Sequence, residues 1–176
     1  MTDRFKPFLR DELSPDQKVV FDAIRSGPRG AVPHIFHLLL TSPDLASRVQ
    51  ELGSLCRYGT SLPPRLSELA ILIVARHWNA DYEWRIHESE ARRAGVPGAV
   101  IAAVKVGSRP RFEDEDLELL YDFCTQFFLA NDVAETLFRR VEARFGRKAT
   151  IELAAIVGYY SMLAIIIRIF RVPPEP

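Results

Sequence analysis

The sequence predicts an all-α fold, and three observations support this prediction. Apolar residues recur at intervals of three and four along most of the chain, the spacing of a helix with one buried face. Helix-start and helix-stop signals divide the chain into about eight or nine such helices. No segment shows the strict apolar–polar alternation or the hairpin turns of a β-sheet. At 176 residues the chain is long enough to form one domain with a sizeable core.

We expect a single domain over residues 1–176 that begins with an irregular arm, residues 1–13. The run Ser14-Pro15-Asp16-Gln17 then starts a helix, with Ser as N-cap, Pro at the first position and Gln reaching back at the third. A Gly-Pro-Arg-Gly loop ends this helix. In that loop Arg29 can offer a planar guanidinium to a carboxylate, although a plain turn with a solvated arginine would have the same sequence.

The apolar segment that follows carries two histidines, His34 and His37. They could be metal ligands, but no third ligand with matching spacing lies nearby in the sequence, so we expect no metal. Ser42 is then the predicted N-cap of the next helix, and Gly59 is its predicted end.

A pair of helices at the centre of the sequence is the most apolar part of its first half. One helix is predicted over Leu66–Trp78, and a break at residues 79–81 separates it from a second helix. The remaining predicted helices cover residues 99–106, 117–128, 133–145 and 150–170. The acidic run at residues 113–116 lacks the glycine of a calcium loop, and a helix N-terminus favours such residues.

The last predicted helix, Thr150–Phe170, is apolar on every side from Leu153 to Ile167. This stretch is shorter than the roughly 18–20 residues that span a bilayer, so we expect a buried central helix or a subunit-interface helix rather than a membrane segment. Its apolarity predicts a homo-oligomer.

Composition narrows the partners that the chain can have. The 23 basic and 23 acidic residues balance and do not cluster, which argues against nucleic acid or a membrane as a partner. Cys56 and Cys124 are far apart and fall on apolar helix faces, which is typical of reduced core cysteines in a cytosolic protein. The N-terminus has no apolar signal core, so we expect a cytoplasmic protein.

The chemistry-bearing residues of the central pair are Glu68, Glu83 and His87. Glu83 and His87 are four residues apart and therefore share one face of the second helix. Asn79 and Asp81 are the predicted N-caps of that helix, and its dipole favours an ionised Glu83 and a neutral His87. A buried histidine that merely holds two helices together would show the same spacing.

This stretch resembles the core motif of the carboxymuconolactone decarboxylase and alkylhydroperoxidase-D-like family. In the redox branch the motif reads Glu, eleven residues, Cys, two residues, Cys, three residues, His. Glu68 and His87 stand at the matching positions, whereas Ala80 and Glu83 replace the two cysteines. The flanking runs LPPRLSELAIL and HESEARRAGVP fit as well, and the version with Tyr82-Glu83-Trp84 is similar to the non-thiol, decarboxylase-like branch.

The resemblance implies an alkylhydroperoxidase-D-like helical fold, a trimer or hexamer, and cofactor-free chemistry on a small carboxylated, lactone-type substrate. It implies that His87 donates a proton to the carbanion left by loss of CO2, that Glu83 orients or recharges His87, and that Glu68 positions the pair. Trp78 and Tyr82 could line the substrate pocket with Arg29. We expect Glu68 to reach His87 directly or through one water, with Glu83 one turn away.

Three alternatives remain open from the sequence. The chain could be a peroxidase relative that has lost its cysteine pair, or one of its two cysteines could approach the site in the fold. It could use Glu68, Glu83 and His87 to hold a metal. Finally, it could be a binding or assembly module that keeps these residues as a polar network without turnover.

Overall fold

In a computed structural model of the chain, residues 4–173 are described, and their regular structure is entirely helical. The α-helices of this part of the chain are α1 (Pro15–Ser26), α2 (His34–Leu39), α3 (Pro43–Ser54), α4 (Pro64–His77), α5 (Asp81–Arg93), α6 (Gly98–Lys105), α7 (Glu115–Ala130) and α8 (Glu135–Phe170). A 3-10 turn at Arg10–Glu12 and a π-helical turn at Leu55–Gly59 complete it. The all-α prediction is therefore confirmed.

Helix α4 lies at the centre of the fold. Its residues from Leu66 to Ala75 are all buried, so no side of this part of the helix faces solvent. Helices α5, α6, α7 and α8 pack around it. A helix that is apolar on nearly every side needs such an enclosure, which explains why the most apolar helix of the first half becomes the core. Glu68 is therefore carried into the interior on this helix.

The N-terminal arm is less irregular than the sequence indicated. Phe5 and Leu13 are buried against the core, and a single 3-10 turn lies between them. Residues 1–3 of the predicted arm lie outside the described residues. The predicted cap of α1 is confirmed: the Gln17 backbone N–H donates to Ser14 Oγ at 3.3 Å, and the Ser14 backbone N–H donates to Gln17 Oε1 at 2.9 Å.

The break between α4 and α5 differs in detail from the prediction. Neither Asn79 nor Asp81 is the N-cap of α5, because that position is held by Ala80. Asn79 instead adopts the left-handed conformation, with φ of 48°, and its side-chain oxygen accepts a hydrogen bond from Arg76 at 2.7 Å. Asn is one of the few residues that tolerate this conformation, so Asn79 helps to end α4 rather than to start α5. Glu83 still falls in the first turn of α5, as predicted.

Helix α8 joins the two helices predicted over residues 133–145 and 150–170, and a kink at Gly146 separates its two parts as the sequence indicated. Gly146 has φ of 84°, a left-handed conformation that favours glycine, and it divides the helix near its first third. An 18-residue window of α8 has a mean hydropathy of 2.0 and could span a bilayer by length and composition, and 44% of this window is buried in the fold. Because α8 packs on α4 and α7, we interpret it as a core helix, a class that meets the same criterion.

Candidate functional site

Glu68, Glu83 and His87 come together where α4 packs against α5. His87 Nδ1 lies 2.7 Å from Glu68 Oε2, and His87 Nε2 lies 3.6 Å from Glu83 Oε2. The three residues are only 6%, 4% and 3% exposed, respectively. The expected Glu68–His87 contact is therefore present as a direct hydrogen bond, and Glu83 stands one turn before His87 on the same helix.

The hydrogen bond to Glu68 determines how the imidazole of His87 is used. An ionised carboxylate can only accept hydrogen bonds, so Nδ1 donates its proton to Glu68 and the other ring nitrogen is directed to Glu83. The ring also meets Tyr160 edge-on, with 5.0 Å between the ring centroids, which limits its rotation. Glu68 thus fixes the orientation of the ring, and Nε2 is the nitrogen left for chemistry.

Glu83 and His87 line a small cavity of about 40 Å³. Arg29 and Arg57 contribute cationic side chains to its wall, and Tyr82 and Tyr159 contribute aromatic ones. A water molecule needs roughly 10–15 Å³ of such space, so the cavity has room for a few waters and for no organic substrate.

The Tyr159 hydroxyl is a buried donor at the wall of this cavity. Tyr159 is 3% exposed, and its hydroxyl makes no hydrogen bond within the part of the chain that the structure describes. Burial raises the pKa of Tyr159 to about 12, the Arg29 guanidinium beside it lowers that pKa, and Glu83 adds to the rise. Tyr160 is also buried, and its pKa is raised well above 10 mainly by desolvation.

Gly53 on α3 allows the cavity wall to close. A Cβ at this position would overlap the hydroxyl of Tyr159 and would come closer to the Arg29 guanidinium than van der Waals contact allows. The missing side chain therefore lets Tyr159 and Arg29 come together against the α3 backbone.

The sequence placed six residues at one site, and the structure brings five of them together. Glu68 and His87 are hydrogen-bonded, Glu83 lies 3.6 Å from His87, and Arg29 and Tyr82 line the adjoining cavity. Trp78 does not lie beside them. Trp78 lies at the end of α4, before the chain turns at Asn79, and it lines a different cavity.

Sequence reasoning missed Arg57, Tyr159 and Tyr160. Arg57 lies in the π-helical turn Leu55–Gly59 and reaches both the cavity and Glu90, with 3.3 Å between Arg57 Nη2 and Glu90 Oε1. A π-helical turn has no reliable sequence signature, although it often marks a functional position. The two tyrosines belong to the late apolar helix, and only their polar tips distinguished them from core residues.

Neither cysteine is placed for thiol chemistry. Burial raises the pKa of Cys56 to about 11, with Glu152 adding to the rise, and burial raises the pKa of Cys124 to about 12. A nucleophilic cysteine needs the opposite shift. The described residues also include no group of three His, Cys, Asp or Glu side chains positioned to hold one metal ion.

A second, mainly aromatic cavity lies at the C-terminal end of α4, where it is lined by His77 and Trp78. It has a volume of about 400 Å³. Its lining residues are mostly aromatic or small: His77, Trp78, Phe123, Phe127, Phe128, Asn131, Ala154, Val157, Gly158 and Ser161. The His77 ring stacks on Phe128 with 4.0 Å between centroids, and desolvation lowers the pKa of His77. We refer to this space as the aromatic cavity and to the space around Glu83 and His87 as the polar cavity.

No protein-family model and no curated protein matches the sequence. Solved structures match the fold. One is the alkylhydroperoxidase AhpD core of an uncharacterized peroxidase-related protein from Ralstonia eutropha JMP134, with a TM-score of 0.78, 15% identity, and coverage of 98% of this chain and 92% of that chain. A peroxidase-related protein from Silicibacter sp. TM1040 has a TM-score of 0.74, 14% identity, and coverage of 93% and 86%.

A third match is the debrominase Bmp8, in a cysteine-to-alanine variant bound to 2,3,4-tribromopyrrole. Its TM-score is 0.72 at 20% identity, with coverage of 96% of this chain and 90% of that chain. The chain therefore has the alkylhydroperoxidase-D-like fold that the resemblance implied. At these identities the likeness establishes the fold, and the chemistry depends on the residues of this chain.

Proposed function

We propose that this protein is a cofactor-independent enzyme that transfers a proton to carbon during decarboxylation of a small carboxylated, lactone-type substrate. The observation that supports this proposal is the buried array in which the His87 ring lies between the carboxylates of Glu68 and Glu83. Glu68 holds the ring through Nδ1, and Glu83 lies close enough to Nε2 to pass a proton to it for transfer to carbon.

The proposed reaction follows from this array. The bond between carbon and the leaving carboxylate breaks, CO2 departs, and the electron pair remains on the substrate as an enolate. The imidazolium of His87 gives its Nε2 proton to the carbanionic carbon, and Glu83 returns a proton to Nε2 after taking one from water. Glu68 remains hydrogen-bonded to Nδ1 and holds the ring in place.

The cationic and phenolic groups of the cavity suit the negative charges of such a substrate. The guanidinium of Arg29 can bind a carboxylate through two parallel hydrogen bonds. The Tyr159 hydroxyl, which has no hydrogen-bond partner within the described residues, can donate to the enolate oxygen as charge develops there. Both groups lie on the wall that Glu83 and His87 share.

This assignment differs from the chemistry suggested by the names of the peroxidase-related neighbours. Ala80 and Glu83 stand where the redox motif has cysteines, and both cysteines of this chain have raised thiol pKa values. Replacement of a thiol by a carboxylate at position 83 leaves acid–base chemistry as the function of the site. We therefore do not propose peroxide reduction.

The test is to incubate the protein with a carboxylated γ-lactone in D2O and to follow CO2 release and deuterium incorporation by NMR. We expect Glu83→Gln and His87→Asn to lower turnover by about 10²–10⁴-fold, the usual contribution of acid–base catalysis. Glu88→Gln is the matched control, because Glu88 lies on the same helix but pairs with Arg92 and Lys105 at the surface. Turnover that survives Glu83→Gln, or no turnover in the wild type, would contradict the proposal.

A further inference from the structure

The polar cavity is too small for an organic molecule, so a substrate can enter only if part of its wall moves. A much larger open groove of about 650 Å³ lies beside it, along the start of α4 and the end of α5. Glu68 lies on the groove side, and its hydrogen-bonded partner His87 lies on the cavity side. The Glu68–His87 pair therefore belongs to the partition between the two spaces.

Arg57 is the other part of this partition. Among the described residues, it is the one whose side chain lines both the groove and the polar cavity. The remaining cavity wall consists of Glu83 and His87, of aromatic, aliphatic and proline side chains, and of Arg29, which is held over the ring of Phe36. A long arginine side chain at the boundary can change rotamer more easily than these packed groups.

The interactions of Arg57 are suited to reversible opening. Its guanidinium pairs with Glu90 at 3.3 Å and lies over the ring of Tyr58, with 5.2 Å to the centroid. Glu90 also pairs with Arg93 at 2.9 Å, so its charge stays compensated when Arg57 moves away. The side chain of Arg57 is 19% exposed, which makes the ion pair weaker than a fully buried one.

We propose that the groove is the entry site for a small anionic ligand and that Arg57 is the gate between the groove and the polar cavity. The anionic group of the ligand competes with Glu90 for the Arg57 guanidinium. When Arg57 turns toward the ligand, the groove and the cavity join, and the ligand reaches His87 Nε2 with its charge neutralised. The statement that the ligand is anionic rests on the proposed function, whereas the statement that Arg57 acts as a gate does not.

The gate can be tested without any substrate, through the access of diethyl pyrocarbonate to His87. This reagent labels neutral imidazole nitrogens, and peptide mapping by mass spectrometry gives a separate rate for each histidine. We expect slow labelling of His87 in the wild type and an increase of about tenfold or more in Arg57→Ala, because access follows the population of the open state. Glu90→Gln, which weakens the Arg57–Glu90 ion pair without removing Arg57, should also accelerate the labelling of His87.

Two controls separate opening of the gate from loss of structure. Arg93→Ala removes the residue that compensates Glu90 when Arg57 moves away but leaves the cavity wall intact, so labelling of His87 should not exceed the wild-type rate. His77, which is exposed in the aromatic cavity, gives an internal reference rate that rises if the variant unfolds. Unchanged His87 labelling in Arg57→Ala, or equal acceleration of every histidine, would overturn the gate.

The ligand class is tested in the same assay with propionate as the probe. A carboxylate held by Arg57 inside the joined space should slow His87 labelling in the wild type and should give no protection in Arg57→Ala. Equal protection in both proteins, or none in either, would contradict the claim that the ligand is anionic. The claim that Arg57 is a gate would still be decided by the labelling rates of the variants without propionate. Neither result depends on turnover, so failure of the decarboxylation proposal remains distinguishable.

Discussion

The polar and aromatic cavities lie on opposite faces of α8, and they differ in size, in polarity and in how they are closed. At 100° per residue, Tyr159, Tyr160 and Leu163 point to one side of the helix, and Ala154, Gly158 and Ser161 point to the other. The first set closes a cavity of about 40 Å³ around ionisable groups. The second set borders a cavity of about 400 Å³ that is mainly aromatic.

This difference shows how the two faces of one apolar helix can serve different purposes. The polar cavity is narrow and is lined by large aromatic residues and by Arg57, which pairs with Glu90. The aromatic cavity is bordered on α8 by small residues and continues into an exposed apolar surface. We call this surface the α8 stripe, defined by Ile151, Ala154, Gly158, Ile165 and Ile169. Its three isoleucines are between 40% and 63% exposed.

The largest effect that we expect from this comparison is on assembly. We propose that the α8 stripe packs against another copy of the chain in a trimer or hexamer, because an exposed apolar surface of this kind marks an interaction site. Light scattering should give a mass several times the 20.0 kDa of one chain. The double substitution Ile165→Glu and Ile169→Glu should shift the mass towards that of a single chain, since charge on an apolar interface opposes association.

Val19→Glu is the control for this prediction. Val19 is 71% exposed, more than either isoleucine, but it lies on α1 rather than on the α8 stripe. A wild-type mass of one chain at micromolar concentration, or equal dissociation by Val19→Glu, would refute the assignment of the stripe.

A smaller effect is expected from two Gly→Ala changes, one beside each cavity. Gly53→Ala should lower the free energy of unfolding by about 1–3 kcal/mol, because its Cβ would overlap the Tyr159 hydroxyl. Gly158→Ala meets no atom within 4 Å and lies inside a helix, so it should raise that free energy by roughly 0.5–1 kcal/mol. Urea unfolding measures both changes. A destabilising Gly158→Ala together with a neutral Gly53→Ala would contradict the claim that the wall beside the polar cavity is tightly packed and the wall beside the aromatic cavity is not.

Much of the fold and the core of the site followed from local sequence patterns. Spacing along the chain was enough to predict the helices, and the four-residue interval between Glu83 and His87 put them on one face. Glu68 could be placed level with His87 because a short break returns the chain antiparallel to itself. These predictions rest on contacts within a helix or between successive helices.

The errors concern features that depend on one backbone angle or on distant packing. Trp78 lies only four residues from Tyr82, yet the left-handed Asn79 between them sends the two side chains to different cavities. Arg57 reaches the site because a π-helical turn re-aims it, and Tyr159 does so because Gly53, more than 100 positions earlier, leaves space for its hydroxyl. Helical periodicity contains no information about either event.

The last expected effect is a change in the alkaline pH dependence of stability, and it tests whether the Tyr159 hydroxyl is as deeply buried as we describe. Burial raises the pKa of Tyr159 from 10.0 to about 12, so above pH 10 the unfolded chain loses this proton before the folded chain does. The folded state then binds more protons, and the free energy of unfolding falls as pH rises from 10 to 12. Cys56 and Cys124 add a similar fall that begins near pH 9, and Tyr160 adds one above pH 10.

Tyr159→Phe should remove only the contribution of Tyr159, about 1 kcal/mol between pH 10 and pH 11, as measured by urea unfolding at each pH. At pH 8 the same variant should be nearly as stable as the wild type, because the hydroxyl that it removes makes no hydrogen bond within the described residues. An identical pH dependence in the two proteins would mean that water reaches the Tyr159 hydroxyl in the folded state and would contradict its burial.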